Sequence, residues 1–195
     1  SRKFIRFIWD KNVLDEYKRS FFILGIYAML TSMYTSFNVT FLGFVTNVTE
    51  VGYYTTATKL HGIILAFFTA FTGVMLPRMS ALVAENRIDE VKRLINKSFD
   101  LLFMISVPLI VFSIYFAPEI IYLISGNGYE GAITPMRMVM PLVLIIGMEQ
   151  ILIVQLLMPL KKDHFILINS IIGACVGMVA NVLLVPTWAA KGSAI

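Results

Sequence analysis

Cysteine is almost missing from this chain. Cys175 is the single example among 195 residues, so no intrachain disulfide and no cysteine-based metal site can form. It lies inside an apolar run and reads as a small buried hydrophobe. Histidine is nearly as scarce, at 2 residues. Charge is thin as well: Asp, Glu, Lys and Arg make up 14%, where a soluble domain carries about 25%. The usual marks of catalysis are absent too. There is no His-Glu-x-x-His, no Gly-x-Ser-x-Gly, no phosphate loop and no Cys/His cluster. A membrane-bound prenyl or sugar transferase wants paired carboxylates near a membrane face to hold a metal. Asp10, Asp15 and Glu16 form the only such group, and lysines interrupt it. The chain is therefore expected to be no enzyme, to hold no metal or cofactor and to bind no nucleic acid.

What is present is apolar. Hydrophobic residues reach 58% and mean hydropathy is +0.80, with the charges clumped between long neutral runs. That pattern predicts an all-α polytopic membrane protein. Five spans are expected, over residues 21–41, 56–76, 99–117, 138–160 and 165–185. Residues 1–19 mix Arg2, Lys3, Arg6 and Lys11 with Phe4, Phe7 and Trp9, as in a basic amphipathic linker lying at the membrane surface; a plain basic loop fits as well. The rest, residues 20–195, forms one helical lobe. Within it, residues 78–97 read as a charged surface helix, with Ile88, Val91 and Ile95 on one side and Asp89 four residues before Arg93. Pro77-Arg78, Pro118 and Pro186 are expected to end their spans. Ser125-Gly-Asn-Gly-Tyr129 is a turn by composition. The chain starts at Ser1 and stops on Gly192-Ser-Ala-Ile195, which reads as a piece of a longer protein.

Polar residues inside the spans are not scattered. At about 100° per residue, Ala28, Thr31, Thr35 and Asn38 share a face of the first span, and Thr58, His61, Thr69 and Thr72 share one of the second. Such faces look toward protein or a water-filled cavity, although threonines also return their hydroxyls to the backbone. Glu149, with Gln150 beside it, is the sharpest candidate. A carboxylate at a helix centre costs about 2.5–3.5 kcal/mol. Roughly fifteen apolar neighbours at about −0.3 to −0.6 kcal/mol each outweigh it, so the span still inserts. Glu149 is expected to meet a proton, a cation or substrate; a protonated glutamate bonded to a neighbouring helix is the plainer alternative. Lys59, His61 and Arg137 stand at the outer ends of two spans, where they line a vestibule for anionic headgroups or simply snorkel to the interface. Gly173-Ala-Cys-Val-Gly177 is a small-residue seam for close helix packing.

The basic residues set the orientation. Of the 16 Lys and Arg, only Lys59, Arg137 and Lys191 fall on the second side if the spans alternate. The other thirteen share the side of residues 1–19, which is therefore cytoplasmic.

Several short motifs carry a resemblance. Val51-Gly-Tyr-Tyr54, Ala57-Thr-Lys59-Leu60 and Pro77-Arg78-Met-Ser80 come in that order, preceded by Asn38-Val-Thr-Phe-Leu42-Gly43 and followed by Asn181-Val-Leu-Leu-Val-Pro186 and Gly192-Ser-Ala194. Together they resemble the polysaccharide transporters, the O-antigen and lipid-linked oligosaccharide flippases of the superfamily that includes the MATE multidrug exporters. Family members often carry Asp where this chain has Asn38, and the glycine usually found between the last two motifs is missing. The resemblance implies two lobes of six or more helices around a central cavity, working by alternating access in a bacterial inner membrane. This chain would be most of the second lobe, and the remainder of the same protein would supply the first. The substrate implied is a polyprenyl-diphosphate-linked oligosaccharide for surface polysaccharide such as lipopolysaccharide, its tail left in lipid. Glu149, Gln150, Asn38, Thr31, Thr35, His61, Thr69 and Thr72 would line the cavity, and Lys59 or Arg137 would meet the diphosphate. A coupling proton or sodium ion is the only accessory implied. The alternative is an ion-coupled exporter of small cationic compounds, with Glu149 trading substrate for the ion.

Overall fold

A computed structural model describes residues 11–193. Helix α1 spans Lys11–Val45, α2 Val48–Ala84, α3 Ile88–Tyr115 and α4 Ala117–Ser125. A single 3₁₀ turn, Glu130–Ala132, leads into α5, Ile133–Val139; α6 is Leu142–Gln150 and runs on as a π-helical segment, Ile151–Leu157. Helix α7 covers Asp163–Trp188 and α8 Ala190–Ser193. Four helices are long and apolar enough to cross a membrane, and the bent pair Glu130–Val139 and Leu142–Leu157 makes a fifth when taken as one span. The chain is an all-α, multi-pass membrane protein, and no strand occurs among the described residues.

The helices run longer than the apolar runs that announced them. Residues 11–19, read as part of a separate linker, are the opening turns of α1; residues 1–10 lie outside the described part. Helix α2 continues through Pro77 to Ala84. Its last turns persist because Met79 and Leu82 are buried in the same core as Val91 and Ile95 of α3, and that packing outweighs one missing backbone donor. The expected surface helix over 78–97 is therefore the end of α2, a tight turn at residues 85–87, and the start of α3. Asn86 takes a left-handed conformation there (φ 57°). Arg87 bridges the turn, its Nε donating to Glu90 Oε1 at 2.8 Å and its Nη1 to Glu85 Oε2 at 3.0 Å, and both carboxylates raise its pKa further. Lys92 approaches Asp89 at 3.8 Å, a pairing one step shorter than the expected Asp89–Arg93.

Two proline expectations change in the same way. Pro186 sits inside α7, which ends two residues later where Ala189 turns left-handed (φ 49°). Pro118 does not close the third span but opens α4 in its first turn, where its missing N–H costs nothing. The turn after α4 is as expected: Gly126 and Gly128 both have positive φ (75° and 92°), a conformation glycine adopts without strain. The fourth span is not straight. Its halves meet at 42° around Met140-Pro141.

The main core joins α2 to α6, centred on Phe68, Met79, Leu102, Ile121, Met136, Met140 and Ile151. Helix α1 packs along α7, and the pair is tied to the rest through Leu42, Val185 and Ala190. The expected glycine seam is half realised. A Cβ at Gly177 would overlap the Tyr34 ring of α1, whereas one at Gly173 meets nothing. Cys175 is exposed, not buried, on an outward face that also shows Ile172, Val176 and Val179. Gly177→Leu should therefore push α1 off α7 and destabilise the protein by about 1–3 kcal/mol. Gly173→Ala should leave the thermal unfolding midpoint of the detergent-purified protein unchanged.

Candidate functional site

Two helices converge on Glu149. It closes α6 on an exposed face, and the Tyr27 phenol of α1 lies within electrostatic reach of its carboxylate. Thr31, one turn on from Tyr27, donates to the Tyr27 carbonyl at 3.0 Å and its side chain also interacts with the phenol. On the other side of α6, Gln150 Nε2 donates to Thr69 Oγ1 at 3.0 Å, joining α6 to α2. Tyr27, Thr31, Glu149, Gln150 and Thr69 thus form one polar group drawn from three helices. Tyr27, Thr31 and Thr69 lie well inside their helices, and Glu149 and Gln150 at the junction of α6 with the π segment, where lipid offers no partner.

The other candidates are placed differently. Asn38 is some three turns beyond Tyr27 on α1 and belongs to a separate buried knot. Its Nδ2 donates to Tyr54 Oη at 3.0 Å and to the Ser193 carbonyl at 3.4 Å, binding α1, α2 and α8 together. Thr72 is buried and its hydroxyl returns to the Phe68 carbonyl at 3.0 Å. Thr35 and Thr58 bond back to Thr31 and Tyr54 in the same manner, each at 3.1 Å. His61 is half-buried, with Nε2 unpartnered. Arg137 turns to α3, where its Nε donates to the Ile114 carbonyl at 3.1 Å; this satisfies an acceptor left open at a helix end. Lys59 is exposed.

Sequence reasoning missed Tyr27 and the serines of α3, and noted Gln155 only as a polar residue further along the span from Glu149. Tyr27 counts as apolar in a hydropathy pattern. Gln155, fully buried in the π segment, accepts from Ser98 Oγ at 2.8 Å. Ser98, Ser106 and Ser113 are all buried and recur on one stripe of α3 at spacings of eight and seven. That periodicity was available as a signal of a tight helix contact, and a Cβ on Gly147 would overlap the Leu102 side chain on the same stripe. Among the described residues, no group of three or more His, Cys, Asp or Glu stands ready for a metal.

A family model for polysaccharide biosynthesis proteins matches residues 5–134. The chain belongs to that family. The match takes in the Asn38–Gly43, Val51–Tyr54 and Pro77–Ser80 motifs; the Asn181–Pro186 motif lies beyond it. No curated protein and no solved structure matches the chain. The family gives the protein a role in polysaccharide synthesis or transport.

The Glu149 group can be tested by its contact with water. In a full-length protein with Cys175→Ser, single cysteines at Thr31, Thr35 and Glu149 should react with a charged, membrane-impermeant maleimide. One at Val176, on the apolar outer face of α7, should stay at least tenfold slower. Equal rates at all four positions would show that the Glu149 group is no more open to water than the apolar outer face of α7.

Proposed function

We propose that this chain is most of the second lobe of a flippase that carries a lipid-linked oligosaccharide across the cytoplasmic membrane by alternating access. The observation that carries the reading is the family match to polysaccharide biosynthesis proteins on an all-helical chain with four to five spans. The polar group around Glu149 supports it. An exposed carboxylate with hydroxyl and amide neighbours, held partway along its helices, suits a headgroup rich in hydroxyls while the lipid tail stays outside. A first lobe closes the cavity from the other side. The substrate is a saccharide on a polyprenyl diphosphate, with Lys59 at the outer mouth as the cation nearest to hand. Arg137 serves this less well, since its guanidinium already holds α3.

Orientation follows from charge. The end of the bundle where α1 starts, α2 meets α3 and α7 begins carries Arg87, Lys92, Arg93, Lys97, Lys161 and Lys162. The opposite end gathers residues near Glu50, Ser125 and Ala190. The first end is cytoplasmic by the positive-inside rule, in a bacterial inner membrane.

One observation favours a second reading. Tyr27 beside Glu149 makes a compact pair that suits a small cation or a proton as well as a sugar, as an ion-coupled exporter requires. Depletion of the full-length protein separates the two. Flipping predicts that lipid-linked oligosaccharide accumulates on the cytoplasmic face, out of reach of an added periplasmic glycosidase, and that Glu149→Gln restores less than a tenth of export while folding normally. Normal surface polysaccharide together with altered efflux of a cationic dye would establish the exporter instead.

A further inference from the structure

A cavity opens at the end of the bundle opposite the main cluster of basic residues. It measures about 690 Å³ and is lined by Glu50, Tyr53, Thr134, Met138, Trp188 and Lys191. The Glu149 group contributes nothing to it.

Its walls are held in place by the fold. Asn47 caps α2, its Oδ1 accepting from the Glu50 N–H at 2.9 Å, so the Glu50 carboxylate starts from a fixed turn. Glu50 Oε2 then accepts from the Ala190 N–H at 3.1 Å, which ties this cavity-lining carboxylate to the start of α8. The Tyr53 ring sits against Gly131, where a Cβ would overlap it, and meets Tyr129 edge-on at 6.1 Å. On the far wall, Ala189 departs from α7 in a left-handed conformation (φ 49°). That departure leaves Trp188 at the cavity with about half its surface uncovered (53%). Strain of this kind persists only where surrounding structure holds it.

The inventory is specific. An indole and a phenol offer faces of negative potential, against which the C–H face of a pyranose packs. A carboxylate accepts from sugar hydroxyls, and a threonine hydroxyl and an ammonium donate to them. The volume lies in the range of ligand pockets, about 300–1,000 Å³, and accommodates one or two sugar rings. A tryptophan at a membrane boundary ordinarily faces lipid headgroups. Here it lines a cavity together with a carboxylate and an ammonium, Glu50 and Lys191.

We propose that this cavity is a saccharide site at the outer mouth of the lobe, which receives one or two hydroxyl-rich sugar units of the transported headgroup; the assignment rests on the transport reading above.

The test uses the purified full-length protein in detergent and a probe free of lipid. The probe is oligosaccharide released by mild acid from the producing cell's own surface polysaccharide. Saturating the aromatic protons should transfer magnetisation to sugar C–H groups in a saturable way. The affinity should fall at least tenfold in Trp188→Ala and in Glu50→Gln, and remain in Cys175→Ser. Trp188→Phe, which keeps an aromatic face, should fall between them; it serves as the readout if Trp188→Ala does not fold. No saturable transfer, or transfer unchanged in Glu50→Gln and both Trp188 variants, would overturn the site. The depletion assay fails separately. Cytoplasmic accumulation without oligosaccharide binding removes this cavity and keeps flipping, whereas binding at Trp188 without accumulation keeps the cavity and removes flipping.

Discussion

Every backbone N–H and C=O in this chain that lies at membrane depth must find its partner inside the protein, because hydrocarbon offers none. That one constraint explains why α1, α2, α3 and α7 run unbroken for 35, 37, 28 and 26 residues. It also explains where irregularity is allowed. Pro77, Pro108 and Pro186 each remove a donor, yet none ends its helix. The break at Met140-Pro141 lies in the main core, with Met140 fully buried. Arg137 spends its guanidinium on the Ile114 carbonyl at the end of α3. At Met140 and Arg137 the irregular backbone lies against protein, whereas Pro77, Pro108 and Pro186 sit on exposed faces of helices that continue past them.

The same rule sorts the side-chain hydroxyls. Thr31, Thr35, Thr58, Thr69 and Thr72 all donate to a carbonyl four residues back, which satisfies them whichever way the helix faces. A threonine face in a span is therefore a weak sign of a cavity on its own. Glutamine and glutamate have no such local exit. Gln150 reaches Thr69 on another helix and Gln155 reaches Ser98 on a third. These long polar side chains join helices, and they mark the places where an interior polar environment has been built.

This difference also accounts for what was legible beforehand. Spans, their number and the charge asymmetry could be read because burial in lipid acts on whole segments, and averages over twenty residues survive local exceptions. Helix ends could not, because Met79, Leu82 and Val185 extend their helices by tertiary packing that no local window contains. Glu149 stood out, since a carboxylate in an apolar run is rare. Its partner Tyr27 did not, because an amphipathic ring is counted by its apolar body. Cys175 was misplaced for a related reason: in a membrane the apolar surface of a helix is its outside, so an apolar neighbourhood says nothing about burial. The π segment at Ile151–Leu157 had no local signature at all, only a fully buried glutamine whose position it adjusts.

The two polar regions differ in kind, and the difference bears on how they work. The Glu149 group is drawn from α1, α2 and α6. Helix α1 packs chiefly on α7, α2 and α8, and Tyr27 brings its phenol within electrostatic reach of Glu149 on α6. Its geometry depends on how far the α1/α7 pair stands from the main core. The outer cavity instead joins α2 to α8 through the Glu50–Ala190 bond and to the 3₁₀ turn through the Tyr53–Gly131 contact. A shift of α7 must move both, because Trp188 ends the same helix whose Gly177 holds Tyr34 of α1. The tight Gly177–Tyr34 contact makes α1 and α7 travel together. Helix α7 thus serves both regions: Gly177 leaves room for the Tyr34 ring of α1, the helix that carries Tyr27, and Trp188 at its end lines the outer cavity.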